Sequence, residues 1–284
     1  MKIISVLHGM PGYEKRQFWA LDMMKNASKY KQTERRLLSH IGLNQRYNNY
    51  LHRYRQSYRN LAEGSDRIVL LAENYIEDFI SRYRVKRYAD KICAIENPLG
   101  QKYTDIKEPE WEDKDNNILY VGRLSSEKRV DIILDLWENV SRPDWHLYIV
   151  GDGPEMEYLK NKSKNLKNVI FTGYIKDPSE YYAKGKIVLL TSEFEGFSMC
   201  LIEAQRFGAV PVTYDISAGV SDIVANGGGI TVPQDKFNLL CMEVSSLMND
   251  SGTLKALSET AYKKSKGYLI GNIGKRWISL IENL

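Results

Sequence analysis

A chain of 284 residues is long enough for one large domain or two small ones, and its 43% of hydrophobic residues favours a folded globular protein over a disordered one. The three cysteines are far apart and form no C-x-x-C pair, so the sequence indicates neither a disulfide framework nor a zinc site. The net charge of +4 is unevenly placed: residues 1–60 hold twelve Lys or Arg against three acids, which favours an anionic partner such as nucleic acid, a phospholipid surface or a phosphorylated acceptor.

The first hundred residues alternate short apolar runs with polar, helical stretches. Residues 3–7 form an apolar, β-branched run closed by a Pro-Gly turn, which predicts a buried strand followed by a loop. Residues 16–60 have a helical composition in which aromatic and basic side chains are interleaved. Two further strands are predicted at 66–72 and 91–95, with a helix at 74–83 between them. No apolar run of the sequence reaches the roughly 18–20 residues that a membrane span requires.

The rest of the chain is a regular alternation of predicted strands and helices. It follows a polar, acid-rich stretch, residues 101–117, which predicts a linker between domains. The predicted strands are 118–121, 147–150, 169–171, 187–190, 210–214 and 229–232, with helices between them. Such an alternation predicts βαβ units, a parallel sheet and an α/β fold. Ligands of these sheets bind beyond the carboxyl ends of the strands, which is where the distinctive residues of this chain fall.

A glycine and two basic residues follow the predicted strand at 118–121. Gly122 allows a sharp turn and a close approach of the backbone to a ligand. Arg123 and Lys128 lie five residues apart in a strand-to-helix loop, so both side chains can converge on one anion. The planar guanidinium of Arg123 and the compact ammonium charge of Lys128 together suit a diphosphate. The alternative is a solvated loop.

A second glycine motif, Val150-Gly-Asp-Gly-Pro-Glu155, begins like a dinucleotide-binding fingerprint. Its third glycine is missing, because position 156 is Met, and it follows the second strand of the unit rather than the first. It is better interpreted as a tight turn with Pro154 in the first helical turn, and no nicotinamide cofactor is expected.

Two carboxylates separated by seven residues form the most specific motif. Glu195 is predicted in a loop at the carboxyl edge of the sheet. Gly196, Phe197 and Ser198 begin the next helix, whose free N–H groups and dipole favour a phosphate or sugar oxygen. Glu203 lies inside that helix among apolar neighbours and needs hydrogen-bond partners, which the vicinal hydroxyls of a ribose would supply. The alternative is a glutamate exposed on an amphipathic helix.

Two isolated features bear on catalysis and on metal binding. His8 ends the first predicted strand at the edge that faces the predicted cleft, although a lone histidine is more often structural than catalytic. Asp113 and Asp115 form a D-x-D pair, but they lie in the acidic stretch, where solvated surface is the better interpretation. Because Arg123 and Lys128 would neutralise a diphosphate, we expect neither a metal ion nor another cofactor.

Taken together, these motifs resemble those of the retaining glycosyltransferases of family 4, the glycosyl transferases group 1. The resemblance is dense over residues 117–233 and rests on Gly122-Arg123 with Lys128, Gly151-Asp-Gly-Pro154, Phe171-Thr-Gly173-Tyr, and Glu195-Gly-Phe with Glu203-Ala. It implies a GT-B fold, in which a Rossmann-like C-terminal donor domain with a parallel sheet faces a Rossmann-like N-terminal acceptor domain across a cleft.

The resemblance also implies a domain organisation. The acceptor-side domain, residues 1–100, is expected to be truncated, because the strand at 3–7 matches the middle of the family's acceptor domain. The linker at 101–117 leads to a nucleotide-sugar-binding domain at 118–268. A last helix at 269–284 is expected to cross back to the first domain.

In the family, basic residues of the first loop neutralise the donor diphosphate, which is the leaving group. Arg123 and Lys128 would have this role here. Glu195 would hold hydroxyls of the transferred sugar, with help from the N–H groups of Gly196 and Phe197.

The other expected contacts involve the nucleoside and the far side of the sugar. Glu203 would hold the ribose, Tyr174 and Ile175 would lie against the nucleobase, and His8 would contact the donor sugar. The predicted donor-binding residues are therefore Gly122, Arg123, Lys128, Tyr174, Ile175, Glu195, Gly196, Phe197, Ser198 and Glu203. The predicted catalytic residues are His8, Arg123, Lys128 and Glu195.

The resemblance predicts an enzyme that transfers a hexose, with retention, from a UDP- or GDP-sugar to a glycan or lipid-linked acceptor in cell-surface polysaccharide synthesis. The alternative is a truncated paralogue or accessory subunit that binds a nucleotide sugar without transferase activity of its own. In either case the open edge of the truncated domain must be covered, and the candidates are the helices predicted in residues 16–60, a second copy and a separate protein.

The Arg- and Tyr-rich segment at 35–59 permits a third, weaker interpretation as an RNA-binding helix pair. The same pattern suits a helix on anionic lipid, and the donor-site motifs favour a lipid-linked acceptor. We therefore expect no nucleic-acid partner, and we expect a cytoplasmic protein in peripheral contact with the inner face of the membrane.

Overall fold

The computed structural model describes residues 2–12 and 45–284, and it divides the chain into two compact units. The first unit comprises Met1–Ile95 together with Leu280–Leu284, and the second comprises Glu96–Ser279. The residues between the two described ranges, which carry much of the predicted basic helical segment, lie outside the described part. Each unit contains a parallel sheet and helices, so the predicted α/β fold is confirmed.

The described residues of the first unit form a three-stranded parallel sheet. Its strands, in the spatial order β1-β2-β3, are β1 (Ile4–Leu7), β2 (Arg67–Leu70) and β3 (Ile92–Ala94). The accompanying helices are α1 (Gln45–Gly64), α2 (Tyr75–Tyr83) and a 3₁₀ helix (Lys86–Lys91). The middle strand is buried from Ile68 to Leu70, as expected for a parallel strand that is covered on both faces.

Helix α1 packs aromatic side chains against α2. The ring centroid of Tyr58 lies 5.4 Å from that of Phe79 and 4.0 Å from that of Tyr83. Phe79 and Tyr83 are each 1% exposed. Arg55 donates a hydrogen bond from Nε to the backbone oxygen of Arg82 at 3.1 Å. Part of the Arg- and Tyr-rich segment therefore contributes to the core of the first unit.

The second unit contains a six-stranded parallel sheet in the spatial order β6-β5-β4-β7-β8-β9. Its strands are β4 (Asn117–Val121), β5 (His146–Val150), β6 (Val169–Gly173), β7 (Ile187–Leu190), β8 (Val210–Tyr214) and β9 (Ile230–Val232). The helices between and after these strands are α3 (Val130–Val140), α4 (Met156–Lys162), α5 (Ser179–Lys184), α6 (Met199–Arg206), α7 (Ala218–Val224), α8 (Phe237–Asn249), α9 (Ser251–Ser265) and α10 (Ile270–Glu282). The last residues of α10 are grouped with the first unit.

The direction of strand addition reverses between β4 and β7. The chain proceeds outward from β4 through β5 to β6, crosses back to β7 on the other side of β4, and then continues to β8 and β9. The loops after β4 and β7 therefore lie side by side at the carboxyl edge of the sheet, which we call the switch point. Open α/β sheets bind their ligands at this position.

The stretch predicted as a linker, residues 101–117, is packed as part of the second unit. Lys114 is only 5% exposed. Its Nζ donates hydrogen bonds to the backbone oxygens of Tyr182, Ala183 and Gly185, at the C-terminal end of α5. A helix C-terminus favours a cation, although burial lowers the pKa of Lys114 to about 7. The boundary between the two units lies before the predicted linker, after Ile95.

Candidate functional site

The loop that follows β4 rests on the turn that follows β5. The N–H of Gly122 donates to the oxygen of Val150 at 3.0 Å, and the N–H of Leu124 donates to the oxygen of Asp152 at 2.9 Å. The two backbones approach so closely that a Cβ on Gly151 would lie 1.8 Å from the Gly122 oxygen. The Gly-Asp-Gly-Pro segment is thus a turn, and it also supports the loop at the switch point.

The two basic residues of this loop lie in different surroundings. The side chain of Arg123 is exposed, while its backbone oxygen accepts a hydrogen bond from the Tyr120 hydroxyl at 2.7 Å. Lys128 ends a 3₁₀ helix (Ser126–Lys128), and 26% of its side chain is exposed. The hydroxyl of Thr191, directly after β7, donates to the Lys128 oxygen at 3.3 Å. The loops after β4 and β7 are therefore bonded to each other.

Lys128 and Glu195 meet where these two loops come together. Lys128 Nζ lies 2.6 Å from Glu195 Oε1, and only 15% of the glutamate side chain is exposed. The fully buried hydroxyl of Ser192 donates to the same carboxylate oxygen at 3.0 Å. Such a sheltered pair is screened by salt less than a surface pair is. Lys128 and Ser192 both bond to Oε1 of Glu195, so Oε2 can accept a hydrogen bond from a ligand hydroxyl.

The start of helix α6 lies next to this ion pair along the chain. Phe197 is 8% exposed and Ser198 is 3% exposed, and the helix begins at Met199. The Ser198 hydroxyl lies 3.2 Å from the sulfur of Cys200 instead of capping a helix N–H. Burial raises the pKa of the Cys200 thiol to about 12, so the thiol stays neutral. The first turn of α6 can therefore present N–H groups to an anion or a sugar oxygen.

Glu203 lies further along α6 and is partly buried. The hydroxyl of Tyr182, on α5, donates to Glu203 Oε2 at 3.2 Å, and the hydroxyl of Tyr103 is near enough to this carboxylate to lower its pKa. Burial raises the pKa of Glu203, and the two tyrosine hydrogen bonds act in the opposite direction. The expectation that this carboxylate needs partners is therefore met in part by two residues of the chain itself.

Tyr174 and Ile175 follow β6 at the same edge of the sheet. Gly173 turns the chain there with a φ of +72°, in the left-handed region that favours glycine. Tyr174 is 75% exposed, whereas Ile175 is partly buried. An exposed aromatic ring beside an aliphatic side chain offers a surface on which a nucleobase can stack.

His8 lies in the first unit, directly after β1, and its side chain is exposed. Its predicted contact with a donor sugar stays a prediction. Residues 2–12 and 45–284 contain no group of three or more His, Cys, Asp or Glu residues arranged to hold a metal ion. No helix in these two ranges is both long and apolar enough to cross a membrane.

Sequence reasoning did not identify three residues that bond to the predicted carboxylates: Ser192, Tyr103 and Tyr182. Ser192 stands only three residues before Glu195, so a side-chain hydrogen bond between them is local in the sequence. Tyr103 and Tyr182 lie far from Glu203 in the sequence, and Tyr103 falls in the predicted linker. Only the folded chain brings them to the carboxylate.

A family model described as glycosyl transferases group 1 matches residues 101–264, which is more than half of the chain. The chain belongs to the group 1 glycosyltransferases. The match covers the loop after β4, the turn after β5 and the segment from Glu195 to Glu203, which are the motifs that carried the predicted resemblance.

Curated group 1 relatives align over much of the chain but over less of their own length. An uncharacterized glycosyltransferase of Haemophilus influenzae is 32% identical over 222 residues, which is 76% of this chain and 61% of the relative. The amylovoran biosynthesis glycosyltransferase AmsD of Erwinia amylovora is 30% identical over 172 residues, which is 60% of this chain and 49% of the relative. The chain thus spans about half to three fifths of these two relatives.

Solved structures of glycosyltransferases share the fold. Anabaena HepE in complex with UDP superposes with a TM-score of 0.74 at 17% identity, over 100% of this chain and 72% of that chain. Staphylococcus aureus TarM superposes with a TM-score of 0.68 at 22% identity, over 79% of this chain and 46% of that chain. These similarities confirm the predicted GT-B fold class.

Proposed function

We propose that this chain transfers a hexose, with retention of configuration, from a UDP- or GDP-sugar to a glycan or lipid-linked acceptor in the synthesis of a cell-surface polysaccharide. The observation that carries the proposal is the Lys128–Glu195 pair at the switch point of a doubly wound sheet. A sugar diphosphate requires a cation for its phosphates and an acceptor for its hydroxyls, and this pair supplies both.

The diphosphate is neutralised by side chains and by the backbone. Arg123 offers a planar fork and Lys128 a point charge from the same loop. The N–H groups of Gly196 and Phe197, in the loop that leads into α6, are further donors, and the first turn of α6 adds its dipole. Because the diphosphate leaves with negative charge, groups that bind it more tightly as this charge develops lower the barrier. This set of donors needs no metal ion and no other cofactor.

Donor binding exchanges one ion pair for two contacts. Lys128 turns from Glu195 to the diphosphate, and the released carboxylate accepts hydroxyls of the transferred sugar. Each charged group keeps a partner throughout, so neither is left sheltered and unpaired, which would cost several kcal/mol. Ser192 keeps its hydrogen bond to Glu195 and holds the carboxylate in place during the exchange.

The nucleoside lies along the same edge of the sheet. Glu203 accepts hydrogen bonds from the ribose hydroxyls, and the base stacks on Tyr174 with Ile175 beside it. The contact of His8 with the donor sugar stays a prediction from the sequence. The exposure of Tyr174 and the partial burial of Glu203 support these assignments.

The names of similar proteins support the donor and the acceptor class. Anabaena HepE is solved with UDP and with UDP-glucose. Curated relatives include a lipopolysaccharide 1,6-galactosyltransferase of Salmonella typhimurium, 36% identical over 151 residues, and a poly(glycerol-phosphate) alpha-glucosyltransferase of Bacillus subtilis, 26% identical over 226 residues. The acceptors in these names belong to surface polymers, and such an acceptor favours a cytoplasmic enzyme in peripheral contact with the inner face of the membrane.

The alternative is a nucleotide-sugar-binding subunit that requires a second copy or a separate protein for transfer. One similar structure is a complex of two proteins, GtfA and GtfB, at a TM-score of 0.68 and 21% identity. Binding of a sugar nucleotide without transfer by the purified chain, and transfer only after a partner is added, would support this alternative.

The test compares Glu195→Ala with Glu203→Ala in titration calorimetry with UDP, GDP and the corresponding sugar nucleotides. We expect Glu195→Ala to weaken binding of the sugar nucleotide more than binding of the free nucleoside diphosphate. The difference should be about 1.5–3 kcal/mol, as for hydrogen bonds to a charged group. Glu203→Ala should weaken both ligands. Glu180→Ala, an exposed glutamate of α5, is the matched control. Equal losses of affinity for the sugar nucleotide and the free diphosphate in Glu195→Ala would contradict a sugar-specific role of Glu195. Transferase activity is tested separately, by transfer of labelled hexose to an acceptor.

A further inference from the structure

Two buried tyrosines from separate parts of the chain converge on the carboxylate of Glu203. Tyr182 is fully buried on α5, and its hydroxyl lies 3.2 Å from Glu203 Oε2. Tyr103 is 3% exposed, lies in a 3₁₀ helix (Gln101–Tyr103), and its hydroxyl is near enough to the same carboxylate to lower the pKa of Glu203. Each hydroxyl is thus held at a site where its alternative partner, water, has little access.

The rings of both tyrosines are fixed by one aromatic neighbour. Phe207, directly after α6, stacks on Tyr182 at 6.0 Å between ring centroids and meets Tyr103 edge-on at 6.1 Å. Aromatic pairs of this kind restrict ring orientation in addition to burying area. The positions of the two hydroxyls are therefore set by packing and do not depend on the hydrogen bonds alone.

Arg206 ties the segment that carries Tyr103 to the helix that carries Glu203. It lies three residues after Glu203 on α6 and is 3% exposed. Its guanidinium donates to the backbone oxygens of Tyr103, Thr104 and Ile106, at 2.8, 3.1 and 2.5 Å. One helix thus holds both the carboxylate and the segment that delivers a hydroxyl to it.

We propose that Tyr103 and Tyr182 are positioning residues for nucleotide recognition, which orient the Glu203 carboxylate so that its remaining acceptor sites face the two vicinal hydroxyls of a ribose. The inference rests on the proposed function, because it deepens the role given there to Glu203. An ionised carboxylate has about four acceptor sites, and two hydroxyl donors leave capacity for a diol. A carboxylate that is fixed in advance loses less conformational entropy when the ligand binds.

The charged groups around Glu203 determine how this arrangement responds to pH. Burial raises the pKa of Glu203, and the hydrogen bonds from Tyr103 and Tyr182 lower it. The charges of Lys102 and Asp177 act in opposite directions on it and are paired with each other at 2.8 Å. Burial also raises the pKa of both tyrosines far above neutrality, so they remain donors. The neighbouring Cys200 thiol is neutral as well.

The ribose hydroxyls bind the ionised carboxylate, so affinity is lost as pH falls through the pKa of Glu203. Tyr103→Phe and Tyr182→Phe remove hydrogen bonds that lower this pKa while keeping both rings in the core. We expect each variant to lose affinity for the nucleoside diphosphate by about two- to tenfold at neutral pH, as for a single hydrogen bond. The pH at which affinity declines should move upward in both variants.

The experiment titrates UDP and GDP, together with their 2′-deoxy analogues, into the full chain between pH 5 and 8. Tyr181→Phe is the matched control, because Tyr181 is the neighbour of Tyr182 on α5 and its ring contacts Tyr148 at 5.9 Å. Glu203→Gln should remove the contribution of residue 203 to the pH dependence, so that the remaining profile, set by the terminal phosphate of the ligand, is the same in every background. The 2′-deoxy analogues should be less sensitive to both tyrosine variants.

The outcomes separate this inference from the proposed function. If the wild-type chain binds neither diphosphate, the proposed function fails and the inference fails with it. If the wild type binds but Tyr103→Phe and Tyr182→Phe match Tyr181→Phe in affinity and pH profile, only the inference is overturned. If one tyrosine variant fails to fold, the other variant and Glu203→Gln still test the inference. The inference requires each tyrosine variant by itself to shift the pH profile upward.

Discussion

Arg123 and Lys128 come from one loop, yet their replacement should have different consequences. Arg123 is exposed, so removing its side chain leaves no buried group without a partner. Lys128 is paired with Glu195 at 2.6 Å, and the carboxylate is only 15% exposed. Removing Lys128 therefore leaves a sheltered carboxylate with the Ser192 hydroxyl as its remaining hydrogen-bond donor in the described part of the chain. The same pair that is proposed to bind the donor also contributes to the stability of the loop.

We expect Arg123→Ala and Lys128→Ala each to weaken nucleoside diphosphate binding by about 1.5–3 kcal/mol, because each removes a charged hydrogen bond to the phosphates. Thermal unfolding should be unchanged in Arg123→Ala and shifted downward in Lys128→Ala. Calorimetric titration gives the affinities, with Lys160→Ala, an exposed lysine of α4, as the control. Unchanged affinity in both variants would show that the loop does not bind the diphosphate.

At the scale of elements, the turn after β5 is a support for the loop after β4. Gly151 has a φ of +142°, and a Cβ there would lie 1.8 Å from the backbone oxygen of Gly122. A Cβ on Gly153 would lie 2.3 Å from the oxygen of Leu124. In both cases the obstacle is backbone, which cannot turn away as a flexible side chain can. These glycines are required because the loop after β4 rests directly on them.

Gly151→Ala should therefore destabilise the second unit by more than about 2 kcal/mol, because it combines an unfavourable φ with a backbone clash. Nucleoside diphosphate affinity should fall as well, since Gly122 would be displaced. Chemical denaturation and calorimetry measure the two effects. Gly274→Ala is the contrasting control: it lies in α10 with open space around its Cβ position, so alanine should be neutral or stabilising there. Wild-type stability of Gly151→Ala would contradict the support role.

The sequence was informative where a signal is local. The strands, the parallel sheet and the loop residues at its carboxyl edge follow from periodicity and from motif spacing, because a strand and the loop after it are adjacent in sequence. The role of residues 101–117 could not be predicted in this way. Their acid-rich composition suits a linker, but Lys114 and Tyr103 make contacts with α5 and α6 that are about seventy to a hundred residues away in the sequence.

At the scale of the whole molecule, the basic excess and the residues proposed to bind the diphosphate and the nucleoside lie in different parts of the sequence. Residues 1–60 hold twelve of the 40 Lys and Arg residues and three of the 36 acids, so the remainder has a slight acidic excess. The residues proposed to bind the diphosphate and the nucleoside all belong to the second unit. Tyr58 and Arg55 are committed to contacts with α2, so any lipid contact must use other residues of the basic region. The basic region and the residues proposed to bind the diphosphate and the nucleoside thus lie in different parts of the sequence.

We therefore expect the protein to float with anionic vesicles at low salt and to dissociate as salt increases, because the attraction is screened. Each basic residue near an anionic surface contributes about 1 kcal/mol, so three substitutions should weaken binding roughly a hundredfold. The test variant replaces Lys25, Lys29 and Lys31 with Gln. The control replaces three exposed lysines of the second unit, Lys160, Lys164 and Lys176, with Gln. Equal flotation of the two variants would mean that net charge alone drives binding, and no flotation of the wild type at low salt would remove the membrane contact from the proposed function.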